Sequence, residues 1–257
     1  MHYYTVTEAR EMDGLRLALT VQSPGPWGIA ARAMFDLRGV PFVPVRQDAM
    51  APNESLVEWT GRRNAPVAVW NDEPPVDGWL EIVNLAERLG GGPSLWPEDP
   101  LSRALATGFS SEICGHDGFG WARRLGLMAP AIERFGDAGG DIAGQYGLRD
   151  DAMQAADARM AQILSALASQ LACQRAGGSQ YLVGDRVTAC DIHWAAFSTL
   201  VAPLDEAVCA LDPGLRTMFA TLPPRVSDAL DPVLIEHRDH VFAEHIGLPL
   251  DYLPDDG

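Results

Sequence analysis

The chain has 257 residues, 47% of them apolar, and a formal charge of −16 from 19 basic and 35 acidic side chains. That length is generous for one compact domain and comfortable for two, and the apolar fraction supports a core without disulfides or metals. The charge argues against polyanionic partners, so neither nucleic acid nor an anionic membrane surface is expected. Four cysteines (Cys114, Cys173, Cys190 and Cys209) are scattered without a CxxC pair, and Cys173 and Cys190 sit in apolar, helix-like surroundings. This usage suits a reducing cytoplasm. The opening MHYYTVTEAREMDG has no basic stretch followed by an apolar one, and no apolar run reaches the roughly 18 residues of a membrane span. Neither a signal peptide nor a transmembrane helix is expected.

Residues 1–14 read as an N-terminal extension. Leu15 to Gln22 is a compact apolar run that reads as a buried strand, and Ser23-Pro24-Gly25-Pro26-Trp27-Gly28 is a dense turn signal. Ile29, Ala33, Met34 and Leu37 then recur at helical spacing, with Gly39 as the stop. Val40 to Val45 is a second strand, whose two prolines place it at a sheet edge. Strand, helix, strand is the unit that pairs strands in parallel. A third strand, Ala65 to Trp70, is entered through Pro66. Asp77 is placed to cap a helix through Trp79, Ile82, Val83, Leu85, Ala86 and Leu89, which Gly90-Gly91-Gly92-Pro93 breaks. Residues 15–90 thus form an α/β domain, and 91–100, rich in glycine and proline, a linker.

Beyond Pro100 helical periodicity takes over. Helices are expected over Leu101–Cys114, Trp121–Phe135 and Asp150–Ala176, the last with a stripe of Met153, Ala156, Met160, Ile163, Leu164, Leu167 and Leu171. Others start near Thr188 and cover Leu211–Phe219 and Asp228–His245. An all-α domain over 101–246 and a surface tail over 247–257 complete the chain. Pattern alone gives a mixed α/β plus all-α protein.

The segment Tyr181-Leu182-Val183-Gly184-Asp185-Arg186-Val187-Thr188-Ala189-Cys190-Asp191-Ile192 resembles a stretch of the helical domain of cytosolic glutathione transferases. Its polar residues have a folding explanation, since Thr188 can cap a helix and Asp191 can reach back to it. Three shorter matches fall in the same family's order: Asn64-Ala65-Pro66-Val67; Asp77-Gly78-Trp79 with Leu85-Ala86-Glu87-Arg88-Leu89; and Ser94-Leu95-Trp96-Pro97 followed by Leu101, Arg103 and Ala104. The resemblance covers nearly the whole chain. It implies a thioredoxin-like α/β N-terminal domain followed by an all-α helical bundle, glutathione as co-substrate, a homodimer and a cytoplasmic setting. It also implies a cis Ala65–Pro66 bond, with the backbone of Ala65 meeting the cysteinyl part of glutathione.

At the expected site the chain departs from the family. The C-P-(F/W) motif of cysteine-type members, just before the first helix, falls on Gly25-Pro26-Trp27. Without the cysteine, disulfide exchange through a protein thiolate is not expected. The nearest hydroxyl, Ser23, reads either as the catalytic donor to a glutathione thiolate or as a plain turn residue. Trp27 joins the glutathione-binding set. Where the family has an acid–serine pair for the γ-glutamyl end, this chain has Asp77 and Gly78. Asp77 reads equally as binding acid or N-cap, and the Gly78 N–H at a helix start can still meet a carboxylate.

In the helical domain His116, Phe119 and Trp121 are candidates for an apolar substrate pocket. His116 and Asp117 with Arg123 nearby could do acid–base work, against the alternative of a helix kink and core aromatics. His237, His240 and His245 are not read as a metal site, because no further ligand is evident. Two functions follow: a transferase that joins glutathione to an apolar electrophile, or a catalytically degenerate relative that binds a small molecule or a protein.

Overall fold

A strand in the middle of a sheet pairs on both edges and buries both faces, and Leu15–Thr20 (β1) does so along nearly its whole length. A computed structural model of the chain describes residues 1–49, 51–135 and 150–255; the side chains of 129–135 and 150–153 lie outside that description, and with them Met153 of the expected stripe. Two compact units emerge. The first comprises Met1–Trp96, Asp205–Leu211 and Phe242–Gly257, the second Pro97–Leu204 and Asp212–Val241.

In the first unit β1 pairs in parallel with Phe42–Gln47 (β2) and antiparallel with Val67–Trp70 (β3), giving the order β2-β1-β3. Pro44 faces outward from this sheet: its carbonyl accepts from Tyr4 N at 2.9 Å, and Arg46 N donates to Tyr4 O at 2.9 Å. Its missing N–H therefore costs the β1–β2 ladder nothing. The helix Pro26–Leu37 (α2) packs on β1 and on Trp79–Leu89 (α4). On the opposite face Ala18, Val45 and Val67, which stand in register, bury against Val6 and Ala9 of Val6–Arg10 (α1) and Leu56 of Glu54–Thr60 (α3).

Residues 1–14, read from sequence as an extension, thus supply a helix and a strand bridge. Thr5 and Glu8 form the capping box that starts α1: Thr5 N donates to Glu8 Oε2 at 2.8 Å and Glu8 N to Thr5 Oγ1 at 3.3 Å. Residues 247–255, read as a surface tail, are likewise built into this unit. Leu250 N donates to Val208 O at 2.8 Å, Tyr3 Oη to Tyr252 O at 3.2 Å, and the buried Tyr252 to Ala210 O. The glycine-rich stretch read as a linker also packs here. Gly92 N bonds Arg38 O at 3.2 Å, and a Cβ on Gly92 would lie 2.5 Å from Leu37 O, so the glycines allow two backbones to touch.

The second unit is helical: Pro100–Cys114 (α5), Phe119–Phe135 (α6), Asp150–Ala176 (α7), Ala189–Ser198 (α8), Pro213–Ala220 (α9), Pro224–Ala229 (α10) and Pro232–Val241 (α11). Helix α8 is buried on all sides, with α5 and α11 packed against it. The last expected helix, Asp228–His245, is instead α10, α11 and a π-helical turn at Phe242–Ile246. A proline opens each of α10 and α11, because its ring and missing N–H suit a first turn and oppose an interior. Cys190 is buried as expected, whereas Cys173 is exposed on α7.

Candidate functional site

Several candidate residues of the first unit gather at one end of its sheet. Strands β1 and β2 finish together, with Thr20 opposite Gln47, and the chain leaves β1 through Val21, Gln22 and Ser23. Gln22 takes a left-handed φ of 62°, and Gly25 N then donates to Ser23 O at 2.8 Å, so the turn is tight. Helix α2 begins at once, with Gly25 as N-cap, Pro26 at its first position and the half-buried Trp27 at its second. Its N–H groups point out at the carboxyl end of two parallel strands, a place where α/β folds bind ligands.

Strand β3 enters at the same end. The Ala65–Pro66 bond is cis, as the resemblance implied, and Val67 follows opposite Ala18. An isolated antiparallel bridge between Ala68 and Val76 holds the stretch just before Asp77 and Gly78 against β3, two residues beyond Pro66. Gln47, a buried polar residue that sequence reasoning passed over, ties these pieces together. Its Oε1 accepts from Thr20 Oγ1 at 2.6 Å, and its Nε2 donates to Asp48 O at 2.9 Å and Arg63 O at 3.4 Å. Asn53, in left-handed conformation, adds bonds to Asp48 O at 2.9 Å, Ala51 O at 3.0 Å and Arg63 O at 3.3 Å. The only signal in sequence for either was a polar side chain at a strand or helix end.

Asp77 does not cap α4. Gly78 is the N-cap, and Asp77, one residue earlier, pairs with Arg62 Nε at 2.7 Å. Both partners are about half exposed, so this pair orients side chains more than it stabilises the fold.

The two glycines of interest differ. Gly25 has φ −67° and ψ 131°, open to any residue, and a Cβ there would meet nothing within 4 Å. At Gly78 a Cβ would run into the Glu81 carboxylate.

The candidates of the helical unit do not form one cluster. Phe119 is fully buried, its ring meeting Trp194 edge-on at 5.5 Å, and so belongs to the core. His116 is exposed and stacks on the half-buried Trp121 at 5.5 Å, with the Arg124 guanidinium 5.6 Å from the same ring. Arg123 leaves the acid–base set. It is buried and donates to Leu200 O at 3.0 Å, Met218 O at 3.0 Å, Phe219 O at 3.1 Å and Thr221 O at 2.9 Å. These carbonyls lie at and beyond the ends of α8 and α9, where backbone acceptors have no helical partner. Burial lowers its pKa to about 10, which still leaves it charged at neutral pH. Gly115 and Gly118 explain the break between α5 and α6: a Cβ on either would lie 2.6–2.7 Å from a backbone carbonyl oxygen.

The capping motif of α8 is more elaborate than sequence suggested. Asp191, wholly buried, accepts from Thr188 N at 2.8 Å, Thr188 Oγ1 at 2.7 Å and Leu182 N at 2.7 Å, and its Oδ1 lies 2.9 Å from His237 Nε2. Two of the three C-terminal histidines lie on α11, and one of them, His237, is engaged by this carboxylate. No group of three ligands suited to a metal occurs among the described residues. The buried His193 sets its Nδ1 3.0 Å from Ser110 Oγ, and burial lowers its pKa to about 3, so it is neutral. Among the described residues no helix is long and apolar enough to cross a membrane.

No protein-family model matches the chain, and no curated protein matches it in sequence. Solved structures do match in shape. A rice glutathione transferase in complex with glutathione is 18% identical with a TM-score of 0.59, covering 95% of this chain and 93% of its own. A Tau-class glutathione S-transferase from mango, Mangifera indica, is 19% identical with a TM-score of 0.54, covering 91% and 99%. A beta-etherase from a Sphingobium strain is 18% identical with a TM-score of 0.55, covering 84% and 98%. At these identities the likeness is one of fold.

Proposed function

We propose that this chain, which has the fold of the glutathione transferases, binds glutathione at the carboxyl end of its sheet and joins it to an apolar electrophile. The observation that carries this reading is a convergence. The N-terminus of α2, the cis-Pro66 segment and the Asp77–Gly78 start of α4 meet at one sheet end, in a fold that another protein uses to hold glutathione. In this reading Ala65 and Pro66 present backbone to the cysteinyl part, Trp27 flanks it, and Asp77 and Gly78 face the γ-glutamyl end. The first N–H groups of α2 favour a sulfur anion, with Ser23 as the hydroxyl that donates to it. The thiolate forms a new S–C bond, the leaving group departs with its electron pair, and the thiol proton passes to solvent.

The stack of the exposed His116 on the half-buried Trp121 offers the helical unit's aromatic surface to an apolar molecule. Leu101 and Leu105, exposed one turn apart on α5, support the pairing of two copies into a homodimer. A reducing cytoplasm suits the free cysteines.

Gly25 favours a second reading. It leaves the start of α2 without a side-chain hydroxyl or thiol, as suits a binder that has no transferase activity. Calorimetric titration with glutathione into the millimolar range tests both. Heat and a thermal shift are expected; their absence sinks the glutathione reading. Turnover of a generic aryl halide, reduced by Ser23→Ala with binding unchanged, is expected of the transferase. Binding without turnover leaves the binder.

A further inference from the structure

The side-chain volume missing at Gly78 is filled by another residue. An ideal Cβ on Gly78 would lie 2.9 Å from the carboxyl carbon of Glu81 and closer still to its Oε2. Glu81 stands at the third position of α4, in its first turn, and folds its carboxylate back onto the N-cap residue. The first turn of a helix favours negative charge there, and no side chain makes a capping hydrogen bond to α4. Gly25, at the start of α2, is the control within the same unit: its side-chain volume is open. The charge around Gly78 adds to the effect. Asp77 is already held by Arg62 at 2.7 Å, so a ligand arriving at this end meets two carboxylates, one of them with its cation engaged.

We propose that Glu81 is an intramolecular stand-in for the ligand's own carboxylate, and that it weakens glutathione binding by occupying the γ-glutamyl end. The inference rests on the reading above, in which the start of α4 faces that end. Glu81 is exposed, so the carboxylate can swing aside without disturbing the core. Apparent affinity is then the intrinsic affinity scaled by the fraction of molecules with Glu81 turned away. Glu81 thereby sets which thiols the site prefers: those with a free α-carboxylate compete against it, and those without do not.

The test titrates glutathione, and glutathione carrying an amide in place of its γ-glutamyl α-carboxylate, into the intact wild-type protein and into Glu81→Gln and Glu81→Ala. Thermal melts of each confirm folding. Both variants are expected to bind glutathione roughly two- to fivefold more tightly than wild type, the range that first-turn charge effects at exposed positions span. The amide is expected to bind all three proteins alike. Binding by the variants alone is the same result in its extreme form. Equal glutathione affinity in all three proteins overturns the Glu81 proposal and leaves the glutathione reading standing. Binding by none of them overturns both.

Discussion

Buried charge in the helical unit is answered by groups fixed within the fold, whereas at the sheet end of the α/β unit no hydrogen-bonding side chain caps the start of α2 or α4. Asp191 has four polar groups from three residues within hydrogen-bonding distance, and Arg123 four carbonyls, none of them more than 3.1 Å away. By contrast, α2 and α4 begin at glycines that supply no capping side chain. The difference separates two uses of polar groups. In the helical unit they fix a fold, because an unmet buried group is costly. At the sheet end the start of α2 stands open, and the one side chain over the start of α4 is the exposed, displaceable Glu81.

The comparison can be tested from both sides. Asp191→Ala strands the buried His237 and two buried N–H groups, and is expected to cost about 3–5 kcal/mol in urea unfolding. A loss below about 1 kcal/mol would show that water replaces the carboxylate. Arg123→Met keeps the stem but abandons the carbonyls after α8 and α9, with an expected loss of about 2–3 kcal/mol. Exchange of the α9 amides should speed up more than that of α5. If the two speed up equally, Arg123 is not a local clamp.

His193 gives a pH signature. Its folded pKa is about 3 against an ordinary 6.5, so the unfolded chain binds the extra proton between those values. Its contribution is full above pH 6.5 and is lost as pH falls toward 3, at up to about 1.4 kcal/mol per unit. Melting temperature should therefore drop from pH 7.5 to pH 5, and His193→Gln should flatten that slope. An unchanged slope assigns the acid sensitivity elsewhere.

The smallest effect belongs to Gly25→Ser. The backbone there suits any residue, and serine can cap α2, so stability should rise by a few tenths of a kcal/mol. Conjugation of glutathione should quicken several-fold with it. Destabilisation beyond about 1 kcal/mol would mean that the open space at Gly25 is filled in solution.

Much of the fold was legible because it rests on local rules. The apolar run of β1, the edge prolines of β2 and the stripe on α7 all announce themselves in order, as does the Thr188–Asp191 cap. Helix α1 was equally legible through Thr5 and Glu8, and was passed over because five residues show no periodicity. The rest depended on partners distant in sequence. Nothing near Arg123 points to carbonyls 77 to 98 residues on. Nothing near Gly90-Gly91-Gly92 says that Gly90 and Gly92 answer to Arg38. Near the candidate site the cis bond before Pro66 was legible, but not Gln47, which joins strand ends that are adjacent only after folding. Of the two readings of Asp77, the N-cap one fails because Gly78 takes that position.

The α/β unit is also discontinuous, since residues 205–211 and 242–255 return to it after the helices. On the ribosome its first 96 residues emerge long before the segment that Tyr3 and Val208 bind. They must wait, partly uncovered, while the helical unit is made. A gene fragment cut after Trp96, the natural place to separate the two units, would encode a protein missing part of its own wall.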